Sequence, residues 1–217
     1  MKMNTFNEKS YWSNRYENDR HMFLGDGSGA GSAGEEAAYK AFVINHWIKE
    51  YGMRTITEFG CGTGENLKLY DIPISYNGYD FSEKAIEICK EKFKNHRNSL
   101  KYYFGSTIDA LDLDADLMLS LDVHYHMPND DVYQEYCDVL FNQFRGKYII
   151  IYSTDTDSQF TEDGHPLAKH VRFRPVLDKV KEYPQWEVLF WSSGIRLSDD
   201  KYYKFPSLKR FFLLKRK

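Results

Sequence analysis

The stretch 55–66, TITEFGCGTGEN, limits what this chain can fold into more than any other. Apolar Ile56 and Phe59 lead to Gly60, and glycine then takes every second position at Gly60, Gly62 and Gly64. Glycine adopts positive φ without a Cβ clash and lets the backbone come close to a ligand. Glu65, Leu67 and Leu69 follow as helix formers. The pattern predicts a strand, a tight glycine turn and a helix start with free N–H groups. Asp80 lies twenty positions after Gly60, at the end of a second short β-type run, 75–79. A carboxylate at that place can accept both ribose hydroxyls of a nucleoside.

The rest of the chain alternates. Apolar runs at 100–104, 116–121, 147–152, 186–191 and 208–214 predict five more strands. Helices are predicted over 37–51, ended by Gly52; from a Ser82 cap, with Ala85, Ile86, Cys89 and Phe93 on one side; over 129–144; and near Pro175 within 165–183. Alternation of this kind calls for a mainly parallel sheet covered on both faces. The last two strands have little helix between them, which predicts an antiparallel edge. In such sheets, ligands sit at the carboxyl ends of the strands. The glycine turn, Asp80, Ser106-Thr107 and the loop DVHYHMP at 122–128 all follow predicted strands.

Before the first strand lies an aromatic arm with Phe6, Tyr11, Trp12, Tyr16 and Phe23, then GDGSGAGSAG at 25–34. Tyr11-Trp12 and Arg15-Tyr16 suit a short helix lying over another surface. The glycine-rich stretch ends in Ser32 and Glu35 at capping-box spacing, so it feeds a helix start. The expected organisation is an arm and substrate or lid loop at 1–34, followed by one domain at 35–217.

The 217 residues suit one domain with a small addition. Aromatic content of 17% places many rings in a core or pocket. Net charge is −3 with no basic stripe, which argues against a nucleic acid partner. Cys61, Cys89 and Cys137 are far apart and form no CxxC pair, so neither a disulfide framework nor a zinc site is expected. No run approaches the roughly 18 apolar residues of a membrane span. The start, MKMNTFNEKSYW, has no apolar signal core. The expectation is a cytoplasmic protein with no membrane partner.

EFGCGTGEN, GYDFS and DADLMLSLDV together resemble the first, second and fourth motifs of class I S-adenosylmethionine-dependent methyltransferases, in order and spacing over roughly 34–152. The resemblance implies a Rossmann-like α/β fold: a seven-stranded, mainly parallel sheet with helices on both faces and the last strand antiparallel. It implies S-adenosylmethionine as cofactor. Gly60, Gly62 and Gly64 would pass close to its amino-acid part, with Cys61 as a small residue in the turn and Glu58 setting the loop. Asp80 would take the ribose hydroxyls and Phe81 would lie on the adenine. Ser106 and Thr107 would edge the adenine, and Leu121 and Asp122 would border the methionine end. The arm, the glycine-rich loop and HVRFR at 170–174 are also similar to a small bacterial subgroup associated with capsule, other glycan or metabolite clusters.

Methyl transfer needs a nucleophile held in line with the sulfonium and, for an amine or hydroxyl, a base near neutral pH. His124, His126 and His170 are the candidate bases or acceptor clamps. Tyr11, Arg15 and Tyr125 are candidate acceptor contacts. Arg172 and Arg174 could pair with a phosphate or carboxylate. The expected reaction is methylation of an O or N atom of a small anionic metabolite or glycan precursor, phosphorylated or nucleotide-linked. His124 and His126 have no third ligand near them in sequence, so no metal is expected. The loop after the fourth strand lacks the N/D-P-P-F/Y of amino-methylating DNA enzymes. Two alternatives stay open: an NAD(P)-linked oxidoreductase, whose GxGxxG spacing is not met, and a non-catalytic domain of the same fold. The sequence leaves the oligomeric state open.

Overall fold

The computed structural model describes residues 6–70, 75–95, 102–161, 164–192, 194–198, 201–204 and 209–217. The strands are β1 (Thr55–Phe59), β2 (Ser75–Tyr79), β3 (Tyr102–Gly105), β4 (Leu117–Leu121), β5 (Tyr148–Thr154), β6 (Trp186–Ser192), β7 (Gly194–Ser198), β8 (Lys201–Lys204) and β9 (Lys209–Arg216). The α-helices are α1 (Glu8–Asn14), α2 (Gly34–Glu50), α3 (Glu83–Phe93), α4 (Asp130–Asp138) and α5 (Val176–Lys181). Seven strands form one sheet in the order β3-β2-β1-β4-β5-β9-β6. β1 runs parallel to β2 and β4, and β2 to β3. β9 runs antiparallel to both β5 and β6. This is the expected mainly parallel, Rossmann-like α/β sheet with flanking helices.

Local chemistry accounts for these elements. Every residue of β4 and β5 is buried, as expected of strands covered on both faces, which read as continuous apolar runs. Ser82 caps α3 by accepting from the Ala85 N–H at 3.3 Å. Asn129 caps α4 by accepting from Asp131 N–H at 2.9 Å. Gly52, at φ 63°, ends α2 because a left-handed residue stops a helix without strain when it is glycine.

Three expectations need correction. A helix was expected after Gly64, but the chain makes only a 3-10 turn, Leu67–Leu69. Pro73 follows closely, and proline bars a helix through it and disfavours one just before. Ser32 does not cap α2; Ala33 holds that position and gives no side-chain bond. A 3-10 turn at Ala30–Ser32 delays helix entry by one residue. β9 is not an edge strand guarded by its lysines and arginines. Phe211, Phe212, Leu213 and Leu214 are buried between β5 and β6, and β6 takes the edge. The β7–β8 hairpin was unforeseen, since its polar run hides the periodicity. Leu100 and Leu208, expected to begin strands, lie outside the described residues.

Two compact units are distinguished, Lys9–Leu119 and Met1–Glu8 with Ser120–Lys217. Most of the aromatic arm, the glycine-rich loop and the glycine turn belong to the first. No helix among the described residues is long and apolar enough to cross a membrane.

Candidate functional site

In the Lys9–Leu119 unit, Gly60, Gly62 and Gly64 have φ of 77°, 54° and 75°, a region that costs other residues roughly 1–2 kcal/mol each. The Gly60 and Cys61 N–H groups donate to the Tyr79 carbonyl at 2.7 and 2.9 Å, which hooks the turn over the end of β2. Gly62 N–H donates to Asp80 Oδ2 at 3.0 Å, and Ser82 N–H to Asp80 Oδ1 at 2.9 Å. One carboxylate thus braces the turn and the start of α3. Burial pushes its pKa up to about 6, against the pull of those two N–H groups. Glu58 lies in β1 and accepts from the Tyr76 hydroxyl. Burial pushes it up to about 7, while Tyr76 and the nearby Lys40 pull it down. Cys61 is buried in the turn.

Phe81 is half-buried against a cluster of Trp12, Tyr16 and Ala85, together with Tyr11. Tyr11 meets Trp12 edge-on at 5.4 Å. Ser106 and Thr107 follow β3, and Thr107 begins the turn Ile108–Ala110. The Asp80 N–H lies 3.4 Å from the Gly105 carbonyl, so the ends of β2 and β3 are tied.

The glycine-rich loop lies on the glycine turn. Arg15, expected to reach an acceptor, is buried instead. Its Nε donates to the Gly27 carbonyl at 2.7 Å, and its guanidinium lies 3.9 Å from the Phe23 ring centre and 4.8 Å from that of Trp12. The Tyr16 hydroxyl and Ser28 Oγ are 3.2 Å apart. A Cβ on Gly62 would come within 2.6 Å of Ser28 Oγ. Thr63 Oγ1 reaches the Gly25 carbonyl at 3.5 Å. Lys92 donates to the Thr63 carbonyl at 2.7 Å and pairs with Asp26 and Glu65. Sequence reasoning missed Ser28, Thr63 and Lys92. The adjacency of Thr63 to three glycines was the one available signal.

In the Ser120–Lys217 unit, Leu121 is buried and Asp122 stands at φ 61°, a left-handed non-glycine residue. Such strain persists only where surroundings enforce it. Here the Asp122 N–H donates to the Tyr152 carbonyl at 2.9 Å. Asp122 Oδ1 accepts from the Tyr125 hydroxyl at 2.7 Å and lies 2.9 Å from Lys209 Nζ. The Lys209 ammonium lies 5.7 Å from the Tyr125 ring centre. Lys209 also went unrecognised, since its partner Asp122 lies far back in the chain.

The three histidines differ. His124 is 1% exposed, and its Nε2 bonds the Tyr133 hydroxyl at 2.8 Å. Burial, aided by Arg174 and Lys179, holds its pKa down at about 3. A fully buried imidazole held that far down is neutral, and a weak base, at neutral pH. His126 donates through Nδ1 to the His170 carbonyl at 3.3 Å, and the two rings stack at 5.3 Å and 15°. Burial, then His170, brings His126 to about 3. It stays neutral and suits a clamp better than a base.

Arg172 and Arg174 are engaged as well. Both guanidiniums reach Asp130 Oδ1, at 2.8 and 2.9 Å. They also donate to the Pro128 carbonyl, and Arg174 to that of Met127 at 2.7 Å. The Arg174 guanidinium covers the Tyr133 ring at 4.1 Å. They fasten the loop before α4 and its first residue. Among the described residues, no three His, Cys, Asp or Glu gather as a metal site would need.

A model of the methyltransferase-domain family matches residues 57–142. No curated protein sequence gives a significant match. Among solved structures, the chain is similar to magnesium protoporphyrin IX methyltransferase from Synechocystis PCC 6803 with bound S-adenosylmethionine. That likeness has a TM-score of 0.63 and 13% identity, over 99% of this chain and 100% of that one. An S-adenosylmethionine-dependent methyltransferase from Clostridium acetobutylicum ATCC 824 aligns with a TM-score of 0.58 and 14% identity, over 85% and 92%. The small RNA methyltransferase HEN1 aligns with a TM-score of 0.59 and 19% identity, over 82% of this chain and 25% of that one. At these identities the likeness is one of fold.

Proposed function

We propose that this chain, whose residues 57–142 match the methyltransferase-domain family, is a class I S-adenosylmethionine-dependent methyltransferase that methylates an oxygen or nitrogen of a small molecule. The observation that carries the reading is the glycine turn at positive φ, braced by Asp80 through the Gly62 N–H. A carboxylate has lone pairs beyond the two occupied by backbone N–H groups, so Asp80 suits two ribose hydroxyls. Net charge of −3 favours a small acceptor over a nucleic acid. Arg172 and Arg174 were the basis for an anionic acceptor, and Asp130 engages both. The acceptor is therefore proposed without a required anionic group.

Bound S-adenosylmethionine supplies a methyl group activated by its sulfonium. The chain's part is to hold, orient and exclude water. Loop 25–33 serves as a lid over the turn, stapled by Arg15 and Lys92. Asp122, fixed by Tyr125 and Lys209, receives the proton of the acceptor. His126, which stays neutral, and His170 present ring faces that clamp it. His124 lies outside this assignment.

Calorimetry with S-adenosylmethionine tests the cofactor half. Labelled-methyl transfer to a panel of phenols, amines and carboxylic acids tests the other. Asp122→Asn should lower kcat by about 100-fold or more. Well-folded protein giving no heat with the cofactor would end the proposal.

A further inference from the structure

Sequence spacing keeps the three cysteines apart, but the fold brings two of them together beneath the glycine turn. Cys61 sits between Gly60 and Gly62, and Cys89 lies on the buried side of α3. Cys89 Sγ donates to the Gly62 carbonyl at 3.2 Å, and Cys61 Sγ donates to that same oxygen at 3.7 Å. Missing side chains make the room. A Cβ on Gly78 would stand 2.9 Å from Cys61 Sγ, and one on Gly64 would stand 3.3 Å from Cys89 Sγ. Gly62 is therefore held on both sides, its carbonyl by sulfur and its N–H by Asp80.

We propose that Cys61 and Cys89 are a dithiol modification site that closes to a disulfide by exchange with a low-molecular-weight disulfide, and that closure disables the cofactor turn. The second half rests on the proposed cofactor reading; the first does not. In the exchange, the thiolate of one cysteine attacks a sulfur of the small disulfide. It forms a mixed disulfide and releases one small thiolate, which takes up the proton the cysteine gave. The thiolate of the second cysteine then attacks the protein sulfur of the mixed disulfide and releases the second small thiol. Two protein thiols lose two electrons and two protons, and one small disulfide becomes two thiols.

The consequence for the turn is geometric. A disulfide needs its sulfurs about 2.05 Å apart, which is well inside hydrogen-bond contact. Closing it pulls Cys61 toward α3 and removes both S–H donors from the Gly62 carbonyl. Gly62 N–H belongs to the Cys61–Gly62 peptide, so moving Cys61 also turns the N–H presented to Asp80. Access is the controlling step, because both thiols are buried and buried cysteines are ordinarily unreactive. The cover on this side is loop 25–33, which meets Thr63 through contacts of 3.5 Å, at the outer limit of a hydrogen bond. Lifting that loop exposes the turn, and bound cofactor should hold it down. The neighbouring Cys89 thiol and burial hold the Cys61 thiol well above its ordinary pKa, so exchange should quicken as pH rises.

The experiment treats the full chain, cofactor-free, with oxidised glutathione at pH 8.5, and reads disulfides by peptide mapping and cofactor affinity by calorimetry. The expected result is a Cys61–Cys89 cross-link with affinity for S-adenosylmethionine lowered at least tenfold and restored by dithiothreitol. Cofactor added beforehand should slow the cross-link. Cys89→Ala should show the same affinity before and after the treatment, whatever its starting value, and Cys89→Ser stands in if the alanine variant does not fold. Cys137, buried on α4, serves as an internal control that should stay reduced. A cross-link with unchanged affinity, a stable glutathione adduct without a cross-link, or no reaction at all would each overturn the proposal. Reduced protein giving no heat with S-adenosylmethionine would sink the cofactor reading instead, and the switch with it.

Discussion

Asp80 and Glu58 are both buried carboxyls, and their titration sets two pH dependences. Asp80 reaches a pKa of about 6. Below that pH it gains a proton and loses an acceptor site, so the affinity for S-adenosylmethionine should weaken as pH falls through 6. Calorimetry between pH 5 and 8 would show the bend. Asp80→Asn should remove it and weaken binding about tenfold or more at pH 8. Glu58 rises from 4.5 to about 7 in the folded chain. A carboxyl with a higher folded than unfolded pKa binds more protons when folded, so its contribution to stability falls as pH rises from about 4.5 through 7. The loss by pH 8 is on the order of 3 kcal/mol. Urea melts should show Glu58→Gln gaining on the parent between pH 5 and pH 8. At this scale the sequence was readable where one residue type answers one need, as with the three glycines and Asp80. Lys209 was not readable, because only the fold sets it beside Asp122.

The segment HVRFR shows what a motif means once it is placed. Its arginines looked like anion ligands, yet they fasten α4. The side chain of Arg174 is 12% exposed and that of Arg172 is 42% exposed. Arg174→Ala removes buried carbonyl contacts and a covered ring, and should cost about 1–3 kcal/mol in chemical denaturation. Arg172→Ala should cost under about 1 kcal/mol, as a half-exposed ion pair does. The glycine-rich loop gives the second prediction for an element. Arg15→Ala removes the bond to the Gly27 carbonyl and the filling between Trp12 and Phe23. Limited proteolysis should then cut within 25–33 faster than in the parent, and added cofactor should slow the cut. A cleavage rate unchanged by the substitution would deny the lid its staple. The guanidinium of Arg15 and the hydroxyl of Tyr16 hold this loop.

For the whole chain, ligand linkage is the direct check on which nucleotide it takes. S-adenosylmethionine at 100 times its Kd should stabilise the fold by about 2.7 kcal/mol. For a chain of this size that raises Tm on the order of 5–10 °C. NAD at equal concentration should leave Tm unchanged, and the reverse pattern would favour an oxidoreductase. The sequence by itself determined the seven-strand count, the parallel alternation, the glycine turn and the carboxylate after β2. Each of these is written in neighbouring residues, as periodicity or as a conformation only glycine takes freely. The tertiary structure alone decided that β9 enters between β5 and β6, that His124 is sealed in the core, that Asp130 takes up both arginines, and that Cys61 meets Cys89. Those outcomes depend on approaches between segments distant along the chain, and a local pattern records which face of an element is apolar but not what comes to cover it.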